Sequence, residues 1–298
     1  MKEFTGNKIM IMCCSRCNLS CEHCYISYSG NRDSNELLEL VKSLKNKYKI
    51  VLNGAEVLTD LNYLKSYQEI GQKYILSNGL VFYLNPGVIN ILKHYGLNSV
   101  SISYHFGIHD KISLISSSIL EKVFQSLKDS NFNFRLMTTI TSSNYNMLEE
   151  MCSKSVKLGA KGLYLTNYIM QGNALEHVSD KLVLNKEQIN IFFNDLMKCR
   201  KQYDKRELLI ERDAGFGKNF LSNHDNFYCP AINNQVILTP DNNLYPCIFL
   251  AKPGYEIGKL IDGKLLIYDE YVNINHGDIC FAKEICNEGR QLIKKRCY

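Results

Sequence analysis

The stretch KIMIMCCSRCNLSCEHCY (residues 8–25) decides the predicted fold. Its first six residues form an apolar run with the length of a buried β-strand. Cys17, Cys21 and Cys24 follow with C-x3-C-x2-C spacing, and Tyr25 comes next. Thiolates are ligands for zinc, copper(I) and iron–sulfur clusters, so this loop predicts a metal centre at the end of the strand.

Two kinds of metal centre are compatible with three cysteines on one loop. A tetrahedral zinc site needs a fourth ligand, which His23 would supply. A [4Fe–4S] cluster normally takes four cysteines, so three would leave one iron open.

Short apolar strands alternate with amphipathic helices from residue 8 to about residue 210. After the first strand, the predicted strands are 49–53, 73–78, 99–104, 134–140 and 162–167. The predicted helices are 34–48, 60–71, 86–96, 117–130, 146–159 and 185–203. Six such repeats predict an α/β fold with a parallel sheet, doubly wound or rolled towards a barrel, that binds ligands at the carboxyl ends of its strands.

Composition excludes several other classes of protein. With 298 residues, 45% hydrophobic and 22% charged, the chain has the composition of a globular protein. The net charge of +5 comes from scattered basic residues, which does not indicate nucleic-acid binding. No apolar run approaches the ~20 residues of a membrane span, and no secretory signal is visible, so we expect a cytoplasmic protein without membrane contact. In that compartment, the 12 cysteines favour metal ligation over disulfides.

The loop at residues 17–25 resembles the C-x3-C-x2-C-aromatic signature of the radical SAM superfamily, and the resemblance extends over most of the chain. It implies an enzyme with a partial (β/α)6 TIM-like barrel over residues 1–210. In this family, the three cysteines hold a [4Fe–4S] cluster whose open iron chelates S-adenosylmethionine (SAM). One electron then cleaves SAM and releases a 5′-deoxyadenosyl radical.

Other positions match the family one at a time. NGAE (53–56) occupies the place of the GGE motif, with one of its two glycines, and SNG (77–79) resembles the segment beside the ribose. QGNA (171–174) resembles the turn that closes the SAM site. The resemblance implies that SAM contacts come from Tyr25, Gly54, Glu56, Ser77, Asn78, Ser103 and Arg135. For Arg135, a plain salt bridge is an equal alternative.

The region 211–298 is rich in Gly, Asn and Cys, and we expect it to form a small Cys-rich domain. Within it, VILTPDNNLYPC (236–247) predicts two short strands around a turn. It resembles the opening of the twitch or SPASM extension of radical SAM enzymes, with Asn242 where that pattern has Gly. The resemblance implies one auxiliary [4Fe–4S] cluster, or alternatively a structural zinc site, held by a subset of Cys229, Cys247, Cys280, Cys286 and Cys297.

Three residues are weaker candidates for a catalytic role. Cys14 directly follows the first strand, where its thiol could donate a hydrogen atom, although a buried structural thiol is the alternative. Tyr104 and His105 follow the fourth strand and could line a substrate pocket, or be ordinary loop residues.

By analogy with the family, we expect the enzyme to modify a ribosomally made peptide by crosslinking, epimerisation or oxidation. The first strand begins near residue 8, so we expect a separate leader-binding protein or direct binding of the peptide. The family also implies an electron donor of flavodoxin or ferredoxin type. The alternatives are a radical SAM dehydrogenase of a small molecule and a non-catalytic zinc- or cluster-binding regulator.

Overall fold

The computed structural model describes residues 1–177, 182–212, 231–232 and 234–271. All six predicted barrel strands are present, each within one residue of its expected bounds. The strands of the described part are β1 (Lys2–Glu3), β2 (Lys8–Met12), β3 (Lys49–Asn53), β4 (Tyr74–Ser77), β5 (Ser99–Ser103), β6 (Asn133–Ile140), β7 (Gly162–Asn167), β8 (Leu209–Arg212), β9 (Gln235–Leu238), β10 (Asn243–Tyr245), β11 (Gly258–Ile261) and β12 (Lys264–Ile267).

Helices follow the barrel strands as the apolar periodicity predicts. They are α1 (Ser34–Leu44), α2 (Leu64–Glu69), α3 (Leu80–Leu84), α4 (Val88–His94), α5 (His109–Ile112), α6 (Ser117–Asp129), α7 (Leu148–Leu158), α8 (Asn173–His177) and α9 (Lys186–Gln202). Local chemistry sets their ends. The Asp33 carboxylate caps α1, and Gly159, with φ of 87°, terminates α7 in the left-handed conformation.

The strands form two sheets. Strands β4 to β8 are parallel and pair in chain order, whereas β2 pairs in parallel with β3 on one side and with β9 on the other. The remaining strands β1, β10, β11 and β12 extend this second sheet in antiparallel fashion. Because β2 to β7 run in the same direction, their carboxyl ends and the loops that follow share one edge.

A side chain bridges the two sheets where β3 and β4 do not pair. The Gln72 amide accepts a hydrogen bond from Leu52 N (2.8 Å) and donates to Leu52 O and Tyr74 O (both 3.0 Å). The Tyr67 hydroxyl also donates to Leu52 O (3.2 Å). Side-chain groups thus form the hydrogen bonds that a neighbouring strand would otherwise form with the backbone of Leu52.

The hairpin predicted at 236–247 is present as β9 and β10, with Leu244 opposite Leu238. Asn242 has a φ of 66°, which agrees with its expected place in a left-handed turn. The pairing of β9 with β2 brings a strand from beyond residue 210 into the same sheet as the first barrel strand. The division into 1–210 and 211–298 stays a prediction.

Four of the five cysteines predicted to bind an auxiliary cluster lie outside the described residues: Cys229, Cys280, Cys286 and Cys297. In the ranges that the structure covers, no helix is long and apolar enough to cross a membrane.

Candidate functional site

The cysteine loop is residues 14–33, between β2 and α1, and backbone hydrogen bonds fix both its ends. Cys13 N donates to Asn53 O (2.7 Å) on β3, and Arg32 N donates to Cys13 O (3.0 Å). The Tyr28 hydroxyl donates to Cys14 O (3.2 Å). The loop therefore starts and ends beside the carboxyl ends of the first two barrel strands.

The loop thiols are those of Cys17, Cys21 and Cys24. Cys17 is exposed, whereas Cys21 and Cys24 are half-buried. Cys24 N donates to Cys21 O (3.1 Å), and Asn78 Nδ2 lies 3.6 Å from Cys17 Sγ. Within the described ranges, no three His, Cys, Asp or Glu side chains are grouped closely enough to hold a metal ion.

The donor chemistry of the loop thiols nevertheless fits an iron–sulfur cluster. Partial desolvation of the sulfur atoms raises the pKa of the Cys17 and Cys24 thiols, so that both are protonated at neutral pH. A bound cation reverses this preference, because metal ligation takes the thiolate and releases the proton. Three soft donors on one loop also suit zinc.

The turn after β7 contacts the cysteine loop closely. Gly172 has a φ of 59°, and a Cβ there would lie 2.8 Å from Cys24 O and 2.7 Å from Ile26 O. Asn173 Nδ2 donates to Cys21 O (3.2 Å), and Ala174 N donates to Cys24 O (3.3 Å). The turn after β7 therefore holds the segment that contains Cys21 and Cys24 in place.

Glu56 joins the carboxyl ends of β3 and β4. Its carboxylate accepts hydrogen bonds from Asn78 N (2.7 Å), Ser77 Oγ (3.1 Å) and Leu58 N (3.3 Å). The side chain is 1% exposed, and this burial raises the pKa of Glu56 to about 7, against the effect of the three donors. The structure thus brings Glu56, Ser77 and Asn78 together, with Asn78 also reaching Cys17.

His105 occupies the carboxyl end of β5 and contacts the cysteine loop. Its Nδ1 accepts a hydrogen bond from Thr139 N (3.1 Å) on β6, in the position of a strand carbonyl. Its ring packs against His23 with centroids 4.4 Å apart, and His109 Nδ1 accepts from His105 N (3.1 Å). Burial lowers the pKa of His109 to about 4 and that of His105 well below its usual value, so both rings are neutral at pH 7.

Tyr25 and Cys247 meet in a small apolar cluster. Both pack against Ile169, together with Phe249, whose ring centroid lies 6.0 Å from that of Tyr25. The hairpin end that carries Cys247 therefore lies beside the cysteine loop. Ser103, the last residue of β5, is half-buried at the same edge of the sheet.

Arg135 lies away from the carboxyl edge of the sheet and forms a salt bridge. Arg135 lies near the start of β6, five residues before its end, a distance of ~16 Å at about 3.3 Å per residue. Its guanidinium bonds to Glu211 (3.0 Å) and Ser101 Oγ and lies over the rings of Tyr74 and Tyr164. The salt bridge that the sequence analysis gave as the alternative is present, and a SAM contact by Arg135 stays a prediction.

Tyr104 does not line the carboxyl edge either. It is buried against Phe106 and Phe124, and its hydroxyl lies 3.4 Å from Glu121 Oε1 on α6. Lys154 on α7 lies over its ring. Its ring also stacks on that of His109, with centroids 5.4 Å apart, and a pocket role for Tyr104 stays a prediction.

Cys14 is buried between the cysteine loop and the β3 turn. Its thiol contacts the carbonyls of Arg16 (3.7 Å) and Glu56 (3.9 Å) and lies against Gly54. Burial raises the pKa of the Cys14 thiol, which keeps its proton. Hydrogen donation by Cys14 stays a prediction.

Sequence reasoning did not anticipate three contacts at this edge. His23 contacts His105, Phe249 packs on Tyr25, and Gln171 places a fully buried amide beside the loop. Two of these residues had a local signal, since His23 lies between the loop cysteines and Gln171 opens the QGNA turn.

Comparison with known proteins supports the predicted fold. No model of a known protein family matches the chain. The chain is 23% identical, over 273 residues, to the "Putative peptide biosynthesis protein YydG" of Bacillus subtilis (strain 168). The aligned region covers 86% of this chain and 71% of that protein.

Solved structures share the fold at low sequence identity. Streptococcus suis SuiB bound to S-adenosylmethionine matches with a TM-score of 0.64 at 14% identity, over 85% of this chain and 63% of SuiB. SuiB bound to the precursor peptide SuiA gives a TM-score of 0.66 at 12% identity, over 99% of this chain and 68% of that one. The protein anSMEcpe with bound AdoMet gives 0.65 at 16% identity, over 95% of this chain and 88% of that one. These structures confirm the predicted α/β partial-barrel fold.

Proposed function

We propose that this chain is a radical SAM enzyme that modifies a ribosomally made peptide. The observation that carries the proposal is the position of the loop thiols. They follow the first strand of a parallel array, and Asn78 links Cys17 to the buried Glu56. Proteins with bound SAM share this fold.

The site residues fall into two groups, those that would hold a cluster and those that would hold SAM. The loop thiols would ligate a [4Fe–4S] cluster, and Gly54, Ser77, Asn78, Ser103 and Tyr25 border the space beside it. When bound, the cluster and SAM supply the 5′-deoxyadenosyl radical. The chain itself keeps the thiols in place through Gly172 and Asn173, and it presents neutral histidines that bring no charge to the site.

A peptide is the favoured substrate. SuiB was solved with a precursor peptide, and anSMEcpe was solved with the Cp18Cys peptide. YydG is described as a peptide biosynthesis protein. We infer an electron donor of flavodoxin or ferredoxin type and a leader-binding function supplied by this chain or by a separate protein. The cytoplasm, where thiols stay reduced, is the compartment that this chemistry requires.

The auxiliary [4Fe–4S] cluster is part of the proposal. Cys247 supports it, because it lies beside Tyr25 and Ile169 at the same edge as the loop thiols. We propose that Cys247 binds this cluster with partners among Cys229, Cys280, Cys286 and Cys297.

The test compares anaerobically reconstituted wild-type protein with a variant in which all three loop thiols are changed to Ala. We expect the variant to lose about four irons per chain and all 5′-deoxyadenosine production. Cys152→Ala, which removes a buried thiol in α7, is the matched control and should keep both. Undiminished 5′-deoxyadenosine in the triple variant, or zinc in place of iron in the wild type, would refute the proposal.

The substrate is tested by mass spectrometry of a candidate peptide after incubation with SAM and a reductant. A loss of two mass units indicates crosslinking or oxidation, and a gain of one unit in deuterated water indicates epimerisation. Turnover of a small alcohol or aminosugar with no change in any peptide would instead favour a dehydrogenase.

A further inference from the structure

Cys152 and Cys199 are two buried thiols that meet between α7 and α9. Cys152 lies in α7 and Cys199 in α9, and the two helices pack on each other. The Cys152 thiol donates a hydrogen bond to Cys199 Sγ, and neither cysteine is in a disulfide. Neither thiol belongs to a predicted metal site, so the pair takes no part in the chemistry proposed for the carboxyl edge.

The contact between the two sulfur atoms is most of the way to a covalent bond. A disulfide has an S–S distance of about 2.05 Å, so the sulfur atoms of a hydrogen-bonded thiol pair need only a short further approach. Rotation about the two Cα–Cβ bonds brings the sulfur atoms together while the helices stay packed. The pair is therefore placed for oxidation to a disulfide.

The two thiols differ in their readiness to react with an oxidant. Cys152 is 0% exposed and Cys199 is 2% exposed, so a small oxidant meets Cys199 first. The hydrogen bond that Cys199 accepts from Cys152 lowers the pKa of the Cys199 thiol and raises that of the Cys152 thiol. Because the thiolate is the nucleophilic form, Cys199 is the residue that attacks.

Hydrogen peroxide is an oxidant small enough for this site. The Cys199 thiolate attacks one peroxide oxygen, the O–O bond breaks, and a sulfenic acid and hydroxide form. The sulfur of Cys152 then attacks the sulfenic sulfur, the S–O bond breaks, and the thiol proton leaves in water. The two sulfur atoms lose two electrons, and one peroxide is reduced to two waters, since the hydroxide takes up the proton that Cys199 had released.

We propose that Cys152 and Cys199 are a modification site at which peroxide forms a reversible disulfide that fastens α7 to α9. The α7 helix packs on β7, the strand that leads to the turn at Gly172 beside the cysteine loop. The disulfide thus holds this side of the barrel together under oxidising conditions. The inference goes beyond the proposed function, because it requires neither a cluster nor SAM nor a peptide.

The first experiment maps the bond in the full-length protein, treated under native conditions with a small excess of hydrogen peroxide. The protein is then denatured, its remaining thiols are blocked with N-ethylmaleimide, and the digest is analysed by mass spectrometry. We expect a linked pair of peptides that contain Cys152 and Cys199, two mass units below the sum of the separate peptides and absent after dithiothreitol. In the matched variant Cys199→Ser, Cys152 should be recovered blocked and unoxidised.

The second experiment compares urea unfolding of the peroxide-treated protein with and without dithiothreitol. We expect the wild type to unfold at a higher urea concentration without dithiothreitol, because a disulfide restricts the unfolded chain, and Cys199→Ser to show no such shift. A wild type in which both thiols survive a peroxide dose that oxidises the loop thiols would overturn the inference. Sulfinic acid at Cys199, or a bond from either residue to another cysteine, would overturn it as well. The mapping in the wild type decides the matter even if the variant does not fold.

Discussion

Glu56→Gln tests whether the buried carboxylate is a pH-dependent structural link between β3 and β4. The pKa of Glu56 is about 7 in the folded chain, against 4.5 for the free side chain. The folded state therefore holds the proton more tightly than the unfolded state. The stabilisation is complete below pH 4.5 and is lost as the pH rises through 7. Since one pKa unit corresponds to about 1.4 kcal/mol, the loss amounts to about 3 kcal/mol.

The assay is urea unfolding of the metal-free chain between pH 4.5 and pH 8, followed by circular dichroism. We expect the free energy of unfolding of the wild type, relative to Glu56→Gln, to fall by about 3 kcal/mol across this range. Glu39→Gln, which removes an exposed carboxylate beside Lys42, corrects for the general effect of losing one acid. Identical pH profiles for wild type and Glu56→Gln would refute the reasoning. The same result would also show that folding leaves the pKa of Glu56 at its ordinary value.

Three further variants test the other elements of this edge. In His109→Gln, the loss of stability on acidification from pH 6.5 to about 4 should be smaller than in the wild type by up to about 3 kcal/mol, because the variant lacks the buried His109 ring while the buried His105 ring contributes to the loss in both proteins. An equal loss in both proteins in urea titrations would count against this prediction. Gly172→Ala should unfold more easily than Gly71→Ala, because the two glycines have similar φ (59° and 64°) but of the two only Gly172 lacks room for a Cβ. Gly172→Ala should also retain less iron after reconstitution, and equal effects of the two substitutions would show that the close approach is unimportant. Arg135→Met should lower the free energy of unfolding by about 1–2 kcal/mol through its bond to Glu211 but leave the SAM dissociation constant unchanged, and a weakened SAM affinity would restore the contact predicted from sequence.

The barrel strands could be predicted because each is a short apolar run followed by an amphipathic helix. The same pattern places every strand end, so the positions of the loop thiols, Glu56 and Ser77 at one edge followed from sequence. The turn at Asn242 was predictable for a local reason, since Asn adopts the left-handed conformation that the hairpin requires.

The salt bridge of Arg135, one of the two alternatives given for it, is favoured by its position in the sequence. Arg135 comes at the start of its predicted strand, and in a parallel sheet the start of a strand lies opposite the ligand edge. Its partner Glu211, 76 positions away, was the part that could not be predicted. The bridge from Gln72 to β3 was also beyond prediction, because no periodicity indicates that two neighbouring strands will fail to pair.

Glu56 and Gln171 show why motif position alone does not define a ligand contact. The motif match assigns Glu56 to SAM, yet its carboxylate already accepts hydrogen bonds from residues 77 and 78. Gln171 opens the turn that resembles the one closing the SAM site, but no contact was assigned to its side chain, and its amide has no partner in the described residues. Whether a polar group is free to bind depends on donors and acceptors brought together by folding, which a linear pattern does not contain.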